Sequence, residues 1–243
     1  MVDPERSRHE TEPAFVLHNY PFRETSLVLE VFTRGCGRIA LVARGARRPR
    51  SALRGVLLAF QPLLLSWAGK SELRTLHKAE WQGGLPQLKG IGLLCGFYVN
   101  ELLLRLLPRD DPHEALYSSY ELALRALAAG AGHSAVLRSF EKNLLKELGY
   151  ALQLTRDADG GNAIEPEKRY DYVLERGPVA ASGVAAENKL ELSGRTLLDM
   201  ERDDYSGSVT EQESKALMRM LINHCLGDQV LHTRQLLRDM QQL

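Results

Sequence analysis

The chain has 243 residues, 44% of them hydrophobic and 26% charged, a length and composition that allow one large core or two modest ones and exclude global disorder. Its 31 basic and 31 acidic residues cancel in sum but not in place: Arg38 to Lys78 holds nine basic residues against Glu72 alone, and Asp199 to Glu213 holds six acids against Arg202 alone. Net neutrality therefore says little about partners, while the first segment is suited to a polyanion.

The opening residues 1–13 mix charges of both signs without an apolar period and read as a loose tail, with no secretory signal. A first strand is expected at Ala14 to His18. Leu27, Leu29 and Val31 then alternate with Val28, Glu30 and Phe32, and the turn Gly35-Cys36-Gly37 leads to a return strand at Arg38 to Arg44. After a basic gap, Phe60 to Trp67 and Glu72 to Trp81 flank the turn Ala68 to Ser71, and Arg74 and Lys78 are expected on one face of the last strand. Five short strands in about 70 residues suggest a small closed barrel, either an OB-fold or an SH3-like one.

From Lys89 the apolar period becomes helical. Ile91, Leu94, Cys95, Tyr98, Leu102 and Leu106 share a face up to Pro108, and Lys89, Asn100, Glu101 and Arg105 interrupt the stretch too often for a membrane span. Asp111 to Glu114 reads as a capping box with proline at the first helical position, opening a helix that presents Leu116, Tyr120, Ala123, Leu124 and Leu127. Ser134 is expected to cap a third helix with Leu137, Phe140, Leu144 and Leu148. The period breaks over about 155–193, where a loop and a small β-hairpin are expected around Tyr170, Tyr172 and Gly177-Pro178. A second capping box at Thr210 to Glu213 then opens another helix, and a last one follows Thr233.

Few motifs offer catalysis. Gly69-Lys70-Ser71 lacks the upstream glycine of a P-loop, with Leu64 in its place. Asp157, Asp159 and Asn162 would put Lys168 where a calcium loop needs a bidentate glutamate. Cys36, Cys95 and Cys225 are too scattered for a disulfide framework or a zinc site, and fit reduced thiols in a cytoplasmic protein, with Cys95 and Cys225 as small buried thiols. No nucleophile elbow or zinc-protease motif is present, so the chain is expected to be no enzyme and to need no metal or cofactor.

The basic segment is the exception. Arg44, Arg47, Arg48, Arg50 and Arg54 crowd a stretch spaced by glycine, alanine and proline, and Arg38, Lys70, Arg74 and Lys78 flank it. Arginine forks match phosphate oxygens, so these nine residues are the expected DNA-binding set, with Phe60, Trp67 and His77 as possible stacking surfaces.

Ala14 to His18, Glu24 to Leu27, Leu41 to Arg47, Phe60 to Leu65, Gly96 to Leu103 and Leu137 to Glu141 with Leu148-Gly149-Tyr150 run in an order that resembles the recombination protein O (RecO) family. The resemblance implies an α+β chain: a five-stranded OB-fold barrel at 14–82, then a mainly helical domain at 83–243 carrying the β insertion. It also implies a recombination mediator in DNA repair that binds single- and double-stranded DNA, anneals strands and assists loading of RecA onto DNA coated by single-strand binding protein. RecR and the acidic tail of single-strand binding protein are the implied partners, and Arg138 and Lys142 are the expected tail site. Some members carry four zinc cysteines after the Gly-Tyr, whereas this chain has none between Ala151 and Gly183. The alternative is an interaction adaptor that binds DNA only weakly.

Overall fold

The computed structural model describes residues 8–183 and 188–241, which divide into two compact units. The first takes the chain up to Gly130 together with the stretch from Leu231, and the second runs from Ala131 to Val230.

Five strands, β1 (Arg8–Phe22), β2 (Ser26–Thr33), β3 (Gly37–Ala43), β4 (Leu63–Ala68) and β5 (Leu73–Trp81), close a barrel in the order β1-β2-β3-β5-β4. All neighbours are antiparallel except β3 and β5. This is the OB-fold order, with the short α1 (Leu53–Val56) between β3 and β4. The barrel core takes alternate residues of each strand, including Val16, Leu29, Val31, Ile39, Leu41, Leu63, Leu65 and Trp67. β1 starts earlier than the apolar pattern indicates. Arg8 to Glu12 pair with β4, so residues 8–13 are strand and not a tail, while residues 1–7 lie outside the described residues. Polar side chains hid this piece, because backbone pairing with β4 holds it without an apolar face.

β1 is apolar on both faces. Val16 points into the barrel, while Phe15 and its partner Phe32 on β2 point out and pack against Tyr117 and Tyr120. Those tyrosines belong to α3 (Glu114–Ala128), which lies beside α2 (Gly90–Leu106). An outward apolar patch must be covered, so α2, α3 and the C-terminal α7 (His232–Gln241) join the barrel's unit, and the division falls after Gly130 instead of near residue 82. A bulge at Leu17 disrupts the β1–β2 ladder, and the buried Asn100 of α2 donates to the Leu17 carbonyl at 2.9 Å while accepting from Tyr120 Oη at 2.7 Å. Cys95 is buried on α2 as expected, whereas Ile91 is exposed.

The second unit contains α4 (His133–Glu147), a three-stranded sheet in the order β7-β6-β8, α5 (Gly194–Glu201) and α6 (Ser208–Leu226). The strands are β6 (Arg169–Val173), β7 (Gly177–Ala180) and β8 (Lys189–Ser193). Tyr170, Tyr172, Leu192, Leu197, Met200, Leu217 and Met218 form its core. None of the three expected side-chain caps forms. α3 starts at Glu114 with His113 as its N-cap, and α4 starts at His133 after Gly132. α6 starts at Ser208, because Thr210 donates its hydroxyl to Asp199 and Glu213 accepts from Ser193 N–H, Thr196 and Arg169. Tertiary partners outbid the local cap in that case. The α5 helix was not anticipated, and Ser193 caps it by accepting from Thr196 N–H at 3.0 Å. Among the described residues no helix is long and apolar enough to cross a membrane.

Candidate nucleic-acid interface

The segment after β3 closes one end of the barrel. Ala46 is fully buried in the barrel core, with Leu57 beside it and Leu53 and Val56 packed against it. Positive φ at Gly45 allows the chain to turn there, and Arg48 N–H and Ser51 N–H donate to Gly45 and Arg48 carbonyls at 3.1 and 3.0 Å. Arg47 N–H donates to the Thr25 carbonyl at 2.8 Å, which ties the segment to the β1–β2 turn. Fixing the small apolar residues inward leaves the arginines facing water. Arg44, Arg48, Arg50 and Arg54 are exposed, and none has a carboxylate partner among the described residues. Arg47 is also exposed, but its guanidinium donates to the Arg23 and Glu24 carbonyls at 3.3 Å, so it is part of the anchor. Arg23 itself, which the charge count missed because it precedes Arg38, is exposed in the same turn with its guanidinium 5.2 Å from the Phe22 ring centre.

The remaining cations are not part of this cluster. Arg38 sits at the other end of β3, six residues or about 20 Å from Arg44 by strand rise. Its guanidinium donates to Glu30 and to the Leu107 carbonyl, each at 3.0 Å, and Arg109 pairs with the same carboxylate. β3 and β5 run parallel with Ala40 opposite Leu73, which puts the β4–β5 turn and its exposed Lys70 toward Arg38. Arg74 is half-buried and pairs with Asp110, and Lys78 pairs with Glu80 at 2.9 Å. Arg74 and Lys78 do not share a face. A bulge gives β5 an extra residue opposite Ser66 and Trp67, so Arg74 keeps the parity of the buried Leu76 while Lys78 points away from the core. Of the suggested stacking rings, Phe60 and Trp67 are buried and His77 is exposed.

Arg138 and Lys142 are both engaged within the second unit. Arg138 is buried on α4 with its guanidinium 2.7 Å from Glu141. Lys142 Nζ donates to the Met200 and Glu201 carbonyls at the end of α5 and pairs with Asp203 at 2.9 Å. Neither is a free surface cation, which their charge alone could not reveal.

The Asp157 loop is similarly self-contained. Asp157 accepts from the N–H groups of Asp159, Gly160 and Gly161, and these bonds, led by the one from Gly160, hold its carboxyl below the usual range. Among the described residues no three potential ligands gather as a metal site.

The family model described as the N-terminal region of recombination protein O matches residues 8–84, and the one described as its C-terminal region matches residues 88–232. The chain belongs to the recombination protein O family. Similar proteins include the DNA repair protein RecO of Nitrosospira multiformis, 58% identical over the full length of both chains. The RecO protein of Dechloromonas aromatica is 54% identical over 98% of this chain and 99% of its own, and that of Thiobacillus denitrificans is 53% identical over 98% and 94%. These relatives assign the chain a role in DNA repair, and its barrel is the family's OB-fold.

Proposed function

We propose that the protein is a recombination mediator whose barrel binds single- and double-stranded DNA without reading sequence, chiefly through Arg44, Arg48, Arg50 and Arg54 with Arg23 beside them. The observation that supports it most is the anchored loop, which presents four arginines without carboxylate partners among the described residues on a barrel of the nucleic-acid-binding kind. A loop backbone that is already anchored need not be ordered on binding, guanidinium forks match phosphate oxygens, and phosphates carry no sequence information. Screening two backbones on one cationic surface lowers their mutual repulsion, which favours annealing of complementary strands. In the same reading the protein assists loading of RecA onto DNA coated by single-strand binding protein, with RecR and that protein's acidic tail as partners. It binds and positions strands and catalyses no covalent step.

Strand annealing of two dye-labelled complementary oligonucleotides tests this reading. The wild type is expected to accelerate annealing at 50 mM salt, and the Arg44→Ala/Arg48→Ala/Arg50→Ala/Arg54→Ala variant to lose most of that acceleration. Equal acceleration by both proteins would count against the loop as the DNA surface. The internal pairing of Arg38, Arg74 and Lys78 favours a second reading, an adaptor with weak DNA affinity. That reading gains if wild type fails to bind either DNA at low salt while still binding RecR.

A further inference from the structure

The outer face of β1 and β2 lines an open groove of about 600 Å³. Its barrel side is set by register. His18 lies opposite Glu30 and Tyr20 opposite Val28, and because Leu29 between them faces the barrel core, His18 and Tyr20 face out. Tyr20 is 48% exposed and its ring meets His18 edge-on at 4.4 Å. The opposite wall is α2, with Leu94, Leu104, Arg105 and Phe97, a phenylalanine left 43% exposed. Exposed aromatic rings on two walls of one groove are unusual for a surface whose apolar residues could have been buried.

Charge in the groove is unevenly committed. Glu30 is held by Arg38 and Arg109. Glu101 accepts from His232 N–H at 2.8 Å and from Thr233 N–H and Oγ1, so its carboxylate caps α7. Arg105, by contrast, is exposed and has no carboxylate partner among the described residues. The lining thus presents two aromatic faces and one cation without a carboxylate partner among the described residues, with Glu30 ion-paired and the Glu101 carboxylate hydrogen-bonded to the start of α7. Tyr20 lies two residues before the end of β1 and Arg23 is in the turn that follows, so a chain gripped by the basic loop can continue into the groove.

We propose that this groove takes unstacked bases of a DNA single strand, with Tyr20 and Phe97 as stacking surfaces and Arg105 on the backbone. The inference rests on the DNA-binding reading above and adds a preference to it. Bases in a duplex are stacked on one another and cannot lie on the rings, so the groove favours single strands over duplex without favouring any sequence.

The test compares affinity for an oligothymidine with affinity for a hairpin duplex at one salt concentration. Tyr20→Ala and Phe97→Leu are used, the latter keeping apolar bulk against Phe60, whose ring centre lies 5.1 Å away. Tyr20→Phe is the conservative control. Each ring removal is expected to weaken oligothymidine binding about tenfold and leave duplex binding unchanged, with the salt slope preserved and Tyr20→Phe like wild type. Equal losses for both DNAs, or none, would overturn the groove while leaving the basic loop intact. Wild type binding neither DNA would instead sink the DNA-binding reading and the groove with it. Tyr20- and Phe97-dependent binding of an acidic peptide, with oligothymidine affinity unaffected by either substitution, would assign the groove to a protein segment and overturn the proposal.

Discussion

Asn100 is a single polar side chain that joins three elements of the barrel's unit. It satisfies the carbonyl freed by the β1 bulge and holds the Tyr120 hydroxyl in a buried setting. Asn100→Leu removes both hydrogen bonds from a buried setting, at a cost of about 2–4 kcal/mol, read as a lower urea midpoint with an unchanged m-value. The same reasoning applies to Arg138. Arg138→Ala removes the cation 2.7 Å from the fully buried Glu141 and is expected to cost about 3–5 kcal/mol of stability. Its charge on the third helix suggested a docking cation for an acidic tail, because sequence shows charge but not what already pairs with it. Residue by residue the candidate site was partly legible: composition singled out Arg44, Arg48, Arg50 and Arg54, which are exposed with no carboxylate partner among the described residues, but also Arg38 and Arg74, which pair with Glu30 and Asp110.

Elements were legible where one face is apolar. β2, β3 and α3 appear within a residue or two of their alternation, while the first piece of β1 and the short α5 escaped because backbone pairing and tertiary packing, not apolar period, define them. The Arg74 and Lys78 faces were misread because one bulge inverts the parity of everything beyond it. At α6 the expected capping box is replaced by a network centred on Glu213. Burial pushes that carboxyl up, but hydrogen bonds from Thr196, Ser193 N–H and Arg169 outweigh burial and hold it below its ordinary value. A carboxylate lowered on folding contributes stability above its unfolded pKa, and the contribution is lost as pH falls through the lower folded value. Glu213→Gln is therefore expected to lower the thermal midpoint at pH 7, with the gap to wild type closing below about pH 4. A gap that stays constant from pH 7 to pH 3 would contradict this account of the network.

For the whole molecule, zero net charge conceals two different uses of charge. The acids of the second unit are spent on structure: Asp199 accepts from Thr210, Asp203 pairs with Lys142, Asp204 holds Ser206, and Glu213 holds Arg169. Arg44, Arg48, Arg50 and Arg54 have no such duty among the described residues, and their loop is fixed by Ala46 and Arg47 so that they remain at the surface. That asymmetry makes the DNA affinity of the barrel loop depend on salt. Fluorescence anisotropy of a labelled single strand, titrated between 50 and 200 mM salt, would compare wild type with the Arg44→Ala/Arg48→Ala/Arg50→Ala/Arg54→Ala variant. Four lost phosphate contacts predict weaker binding at low salt and a slope of log affinity against log salt that is shallower by about 3. Equal affinities and equal slopes for the two proteins would contradict the account and move the DNA surface away from the barrel loop.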